Sequence, residues 1–304
     1  MRIVVVGCGE VGRCYVTALA EAGISVSDLC DAHPSQAARD LASRIGAPLH
    51  DAPGAWLAGA DLVLSAVTGG QALAVARASF PFLRPGTVFA DMTTASPDDI
   101  RAAAVAAQAA GVRFVDVAIM GGISLKRAET GLICAGDGAA DLRDLLAAVK
   151  APVTVLTGEA GDAVTLKLLR SIFMKGLEAL TVETFVLARR LKLVDALHDN
   201  LKDFDAAPLR AFLEMLVRTH VLHAERRLHE VEEAEDQLLL AGVAPCVTPG
   251  VRALFARTAD ALHELPPAAE PAGADAALSW LSVVADSGRA NPAPRAADRC
   301  GDAA

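Results

Sequence analysis

Across the first 160 positions, short apolar runs alternate with longer stretches that carry an apolar residue every three or four positions. Runs at Ile3–Val6, Val26–Cys30, 62–66, 87–90 and 114–117 read as strands, with shorter ones at 133–135 and 153–156. Between them, 11–22, 36–44 and the Ala-rich 97–110 read as helices, and Ser35 stands where a helix cap belongs. Strands alternating with helices predict a mostly parallel, doubly wound sheet covered on both faces. After Gly158 the pattern becomes purely helical: one long helix over 163–192, a polar break at 198–200, a helix from 209 toward 235, and others over 251–262 and 274–285. The expected organisation is an α/β dinucleotide-binding domain over 1–160, an all-α domain over 161–286 and a disordered tail over 287–304.

Composition narrows the classes. Hydrophobic residues make up 53% but aromatics only 4%, so the core is built from Ala, Val and Leu, which suits buried parallel strands. A formal charge of −9 argues against a nucleic-acid binder. No apolar run reaches membrane-span length, so a cytoplasmic protein without a membrane partner is expected. The six cysteines, Cys8, Cys14, Cys30, Cys134, Cys246 and Cys300, form no CxxC pair and read as free thiols, with no metal site expected.

The candidate chemistry begins at Gly7-Cys8-Gly9-Glu10-Val11-Gly12, a GxGxxG that follows a strand and opens a helix. Gly7 permits the tight turn, Gly9 lets backbone approach a pyrophosphate, and Gly12 lets helix pack on strand; Glu10 and Val11 complete the loop. This is the fingerprint of a Rossmann fold. Asp31 ends the second strand about 20 residues on, where a carboxylate accepts the ribose hydroxyls and repels a 2′-phosphate. No Arg follows it, so NAD is expected over NADP. Ala66, Val67 and Thr68, at the end of the 62–66 run, complete the expected cofactor set together with Thr94.

Three further segments, in order, resemble the β-hydroxyacid dehydrogenase and 6-phosphogluconate dehydrogenase superfamily, over about residues 1–260. Asp91-Met92-Thr93-Thr94-Ala95-Ser96-Pro97 is similar to the segment D-x-S-T-x-S-P that lines the nicotinamide site. Asp116-Val117-Ala118-Ile119-Met120-Gly121-Gly122 resembles the substrate-binding D-A-P-V-S-G-G. Gly158-Glu159-Ala160-Gly161, leading to Lys167, resembles the segment that carries the family's catalytic lysine. Departures occur where substrate would be read: Met120 replaces a Ser, and Arg170 and Ser171 stand where the family has two amides. The C-terminal half, with Arg226-Arg227 and Glu230, looks like a branch ending in a domain of unknown function.

The resemblance implies an NAD-dependent dehydrogenase acting on the CH–OH of a β-hydroxy acid or sugar-acid-like substrate, with Lys167 as general acid/base. It implies a carboxylate substrate bound by Met120, Gly121, Gly122, Arg170, Ser171 and Lys175, Arg170 pairing with the carboxylate. A homodimer through the helical domain is expected. An imine reductase and a non-catalytic NAD-binding regulator remain as alternatives. The charged stretch His223, Arg226, Arg227, His229, Glu230, Glu232 and Glu233 reads as a salt-bridged face, and His223, Glu230 and Glu233 as a conceivable metal set.

Overall fold

The computed structural model describes residues 1–287. The chain divides into two compact units, Met1–Phe173 and the part from Met174 onward. The division falls inside the long helix rather than at its start near residue 160. The cause is local: the first turn of that helix, with Ala163 and Val164 fully buried, packs on the sheet.

The first unit is an eight-stranded sheet: β1 (Ile3–Val6), β2 (Val26–Cys30), β3 (Leu49–His50), β4 (Leu62–Ser65), β5 (Val88–Asp91), β6 (Arg113–Ile119), β7 (Leu132–Ala135) and β8 (Val153–Val155). Their order is β3-β2-β1-β4-β5-β6-β7-β8, with every pairing parallel except β6 with β7. Between them run α1 (Glu10–Glu21), α2 (Gln36–Ile45), α3 (Ala72–Ser79), α4 (Pro97–Ala109), α5 (Ile123–Lys126) and α6 (Ala139–Leu146). The chain leaves β1 in one direction toward β2 and β3 and returns on β1's other side as β4. That reversal opens a crevice at the carboxyl ends of β1 and β4, where such sheets bind ligands.

Strand residues alternate between two cores. Ile3, Val5, Leu62, Leu64, Val115 and Val117 meet α1 and α6 on one face. Val4, Val63, Phe89 and Phe114 meet α3, α4 and Val164 on the other. Helix starts follow local chemistry: Ser35 accepts from the Ala38 amide, and Ser96, ahead of Pro97, accepts from Asp99. The two-residue β3, α3, α5 and α6 carry too little pattern to be read from sequence.

The long helix is α7 (Asp162–Leu191). The second unit holds its later turns with α8 (Val194–Asn200), α9 (Leu209–Leu240), α10 (Thr248–Glu264) and α11 (Ala274–Ser287). The polar break expected at 198–200 is instead the end of α8. The long helix ends where expected, with the chain turning at Lys192, whose φ of 59° lies in the left-handed region. Helix α9 continues through a kink at His223. Glu183 of α7 accepts from the backbone amides of Cys246, Val247 and Thr248, capping α10 from outside. Against the cost of burial, the Thr248 hydroxyl, donating at 2.6 Å, and these amides hold its carboxyl down to about 2. The expected tail from 288 lies outside the described residues, as does Cys300; Ser287 itself closes α11. The five described cysteines are free, and Cys246 is exposed. No helix among the described residues is long and apolar enough to cross a membrane.

Candidate active site

The glycine loop closes the crevice from below. Gly7 has φ +89°, and a Cβ there would lie 2.5 Å from the Ala66 carbonyl oxygen; one on Gly12 would lie 1.9 Å from the Gly7 carbonyl. A Cβ on Gly9 would meet nothing within 4 Å, so that position faces open space. Helix α1 begins next to it with no side-chain cap, leaving first-turn N–H groups and the positive helix end directed into the crevice. Glu10 is exposed in that first turn, and Val11 is half-buried against the core. The loop, the uncapped helix end and the open approach at Gly9 fit a dinucleotide pyrophosphate.

The cleft beyond them measures about 410 Å3 and is lined by Gly7, Gly9, Asp31, His33, Asp51, Ala66, Val67 and Thr68 among others. Asp31 follows directly on β2 here. Its carboxylate also accepts from the Cys8 amide at 2.8 Å and the His33 amide at 2.9 Å. It therefore ties the glycine loop to the turn after β2. Sequence reasoning missed Asp51, a second carboxylate in this cleft, because β3 before it spans only two residues. It also missed Gly69, where a Cβ would stand 2.6 Å from the Thr94 carbonyl; this close approach sets the β4 loop against the segment after β5.

That segment is built by Asp91. Its Oδ1 accepts from the Thr93 amide at 2.9 Å, turning the chain out of β5 before Ser96 and Pro97 start α4. Thr94 is thereby exposed at the sheet's carboxyl edge. On the next strand, Asp116 accepts from the Gly161 and Val164 amides, both at 3.0 Å, and so fixes the N-terminus of α7. Lys167, on the second turn of α7, donates from Nζ to Thr94 Oγ1 at 2.7 Å. Burial draws the Lys167 ammonium below the ordinary lysine range, and the Asp116 charge opposes that shift. Asp91 is wholly buried, and desolvation pushes its carboxyl up to about 6; the Thr93 hydroxyl leans on it without reaching hydrogen-bond geometry, and Asp116 raises it further. Burial likewise raises Asp116 against its amide donors.

Met120 packs beside the Ala118, Ala135 and Ala163 cluster under the start of α7. Gly121 and Gly122 follow it, both exposed. Arg170 and Ser171 are exposed on α7, and neither side chain has a hydrogen-bond or ion-pair partner among the described residues. Lys175 lies in the second unit and pairs with Glu178 at 2.9 Å. The charged face of α9 makes local pairs, Arg226 with Glu230 and His229 with Glu232. Among the described residues no group of three or more His, Cys, Asp or Glu side chains is placed to hold a metal.

Comparison with known proteins agrees with this geometry. Residues 2–158, more than half of the chain, match the family described as the NAD binding domain of 6-phosphogluconate dehydrogenase, and the chain belongs to that family. Residues 188–258 match a domain of unknown function. An uncharacterized 28.5 kDa protein of Methanothermus fervidus, from the 7S RNA 5′ region, is 28% identical over 84% of this chain and 98% of its own. A conserved protein of unknown function, whose structure is described as similar to 3-hydroxyacid dehydrogenases, is 28% identical and covers 87% of this chain and 99% of its own, with a TM-score of 0.61. An imine reductase variant from Myxococcus stipitatus, in complex with NAD+, is 17% identical over 92% of this chain and 99% of its own, with a TM-score of 0.72; this likeness is one of fold.

Proposed function

We propose that this chain is an oxidoreductase moving hydride between NAD and the carbinol carbon of a small hydroxy acid or sugar acid, with Lys167 as general acid/base. The contact between Lys167 Nζ and Thr94 Oγ1 carries the reading. It sets a lysine of lowered basicity beside a hydroxyl at the carboxyl edge of a dinucleotide-binding sheet.

When bound, the nicotinamide supplies the hydride acceptor or donor. The chain's residues do the rest. Gly7, Gly9 and the first turn of α1 hold the pyrophosphate, and Ala66, Val67 and Thr68 border the dinucleotide. Neutral Lys167 takes the proton of the substrate hydroxyl as the carbonyl forms and returns it in the reverse direction. Thr94 orients Nζ. Arg170, without an ion pair among the described residues, meets the substrate carboxylate, with the Gly121 and Gly122 backbone beside it. Asp31 and Asp51 make the adenosine end of the cleft acidic, which supports NAD over NADP.

The turns of α7 that follow Lys167 support a homodimer. From Leu169 to Val182 every residue is exposed, including Ile172 at 72% and Val182 at 59%. A helix exposing this many large apolar side chains is normally covered, and a second copy of the chain is the occupant we propose.

Likeness to imine reductases supports a second reading, reduction of a C=N bond with Lys167 as proton donor. One assay separates the two: hydroxy acids, sugar acids and cyclic imines, followed by NADH absorbance in both directions. Turnover of a hydroxy acid with NAD supports the first reading. Turnover confined to imines replaces it, and tight NAD binding without turnover of any class contradicts both.

A further inference from the structure

We propose that Asp91 and Asp116 hold one proton between them, on Asp91, and that the single negative charge left on Asp116 sets how readily Lys167 releases its own proton. The two residues are partners in the β5–β6 register, on neighbouring parallel strands about 4.8 Å apart. Both are 0% exposed. Each spends one oxygen on backbone amides and leaves the other, Asp91 Oδ2 and Asp116 Oδ1, without a hydrogen-bond partner among the described residues. Two ionised carboxylates would bury two like charges on paired strand positions, and the Asp116 charge adds to the cost of ionising Asp91. One proton, on Asp91, removes one of the two buried charges and leaves the other on Asp116.

The direction of sharing follows from the surroundings. Asp116 Oδ2 receives two amides from the positive end of α7, which favours its ionised form. Asp91 has one amide and no helix end. Other groups facing the pair do not reverse this. Ser65 of β4, in register with Asp91, carries a buried hydroxyl without a partner among the described residues, and the Thr93 hydroxyl beside Asp91 favours its charge but is outweighed by burial. From α7, Asp162 opposes ionisation of Asp116, and Lys167 is the cation facing it. Arg101 of α4 packs against Gly161 but directs its guanidinium to Asp98. Cys134 on β7 feels the Asp116 charge, and burial keeps it a thiol.

The link to Lys167 rests on the acid/base reading above; the shared proton does not. Neither aspartate reaches the reacting atoms, so both are positioning residues. The test is infrared spectroscopy of the full-length protein from pH 4 to 8, with NMR of the Lys167 side chain over its own titration. The expected result is a carboxylic-acid carbonyl band that persists well above the ordinary aspartate range and disappears in Asp91→Asn. In Asp116→Asn the band titrates at lower pH, and Lys167 loses its proton about tenfold more easily. Carboxyl NMR of labelled wild-type protein serves if either variant fails to fold. Loss of every buried acid signal by pH 4 to 5, or a band that survives Asp91→Asn, overturns the shared proton. An unchanged Lys167 in Asp116→Asn overturns only the link. Normal turnover by Lys167→Met removes the acid/base reading while leaving the carboxyl result intact.

Discussion

Asp91 and Asp116 stand opposite each other on β5 and β6, and each anchors one side of the Lys167–Thr94 contact: Asp91 through the Thr93 amide, Asp116 through the amides that begin α7. The two carboxylates are the frame on which the candidate acid/base is mounted.

Their burial predicts a pH effect of definite sign. The Asp91 carboxyl lies near the usual aspartate value in the unfolded chain and is pushed up to about 6 in the fold. The folded state therefore binds this proton more tightly. The contribution is fully present below about pH 4 and is lost as pH rises through about 6, amounting to about 3 kcal/mol. Asp91→Asn removes it. Urea unfolding at several pH values should show the stability difference between wild type and Asp91→Asn shifting toward the variant between pH 4 and 6. A difference independent of pH contradicts the assignment.

Gly12→Ala should damage the cofactor site before it damages chemistry elsewhere. The added methyl would stand 1.9 Å from the Gly7 carbonyl, backbone against backbone, so the loop must move. A destabilisation of about 1–3 kcal/mol is expected, together with loss of most NAD affinity. Calorimetric titration with NAD, alongside thermal unfolding, checks both. Gly9→Ala, where a Cβ meets nothing, should fold normally and lose affinity only through crowding of the ligand.

Asp31→Asn tests cofactor choice. The amide keeps an acceptor for Cys8 or His33 but loses the charge. NAD affinity should fall about tenfold, roughly 1.4 kcal/mol, and NADP should gain relative to NAD. Because Asp51 shares the cleft, Asp31→Asn with Asp51→Asn should shift the preference further than either alone. Binding measured with both dinucleotides decides it; an unchanged NAD to NADP ratio contradicts the role of these carboxylates.

Much of the first unit was legible because each signal was local. Four buried β-branched residues before a glycine turn make β1, and Ser35 and Ser96 make helix caps. The motif positions of Asp91, Asp116 and Lys167 were legible through resemblance alone. Their shared geometry was not, because register across β5 and β6 and the approach of α7 are long-range relations. The long helix ends at Leu191, where its pattern stops, but the short α8 between that end and the polar 198–200 stretch went unread, because seven residues carry too little period. Asp51 went unseen because two strand residues carry no period.

The exposed middle of α7 predicts an oligomer. Ile172→Asp, at a position 72% exposed, should leave the first unit's sheet intact and convert a dimer to monomer. Sedimentation at micromolar concentration reads this directly. A wild-type monomer at that concentration contradicts the proposed use of this face.

The most direct test of the account is the pH dependence of kcat/KM for hydroxy-acid oxidation by wild type and Lys167→Met, with NAD affinity measured in parallel. Wild-type activity should rise with pH through a group titrating below the ordinary lysine range, since Lys167 must be neutral to accept the proton. Lys167→Met should lose about 10²–10⁴-fold in kcat, lack that limb, and bind NAD as tightly as wild type. Near-normal turnover by Lys167→Met with an unchanged pH profile would contradict it.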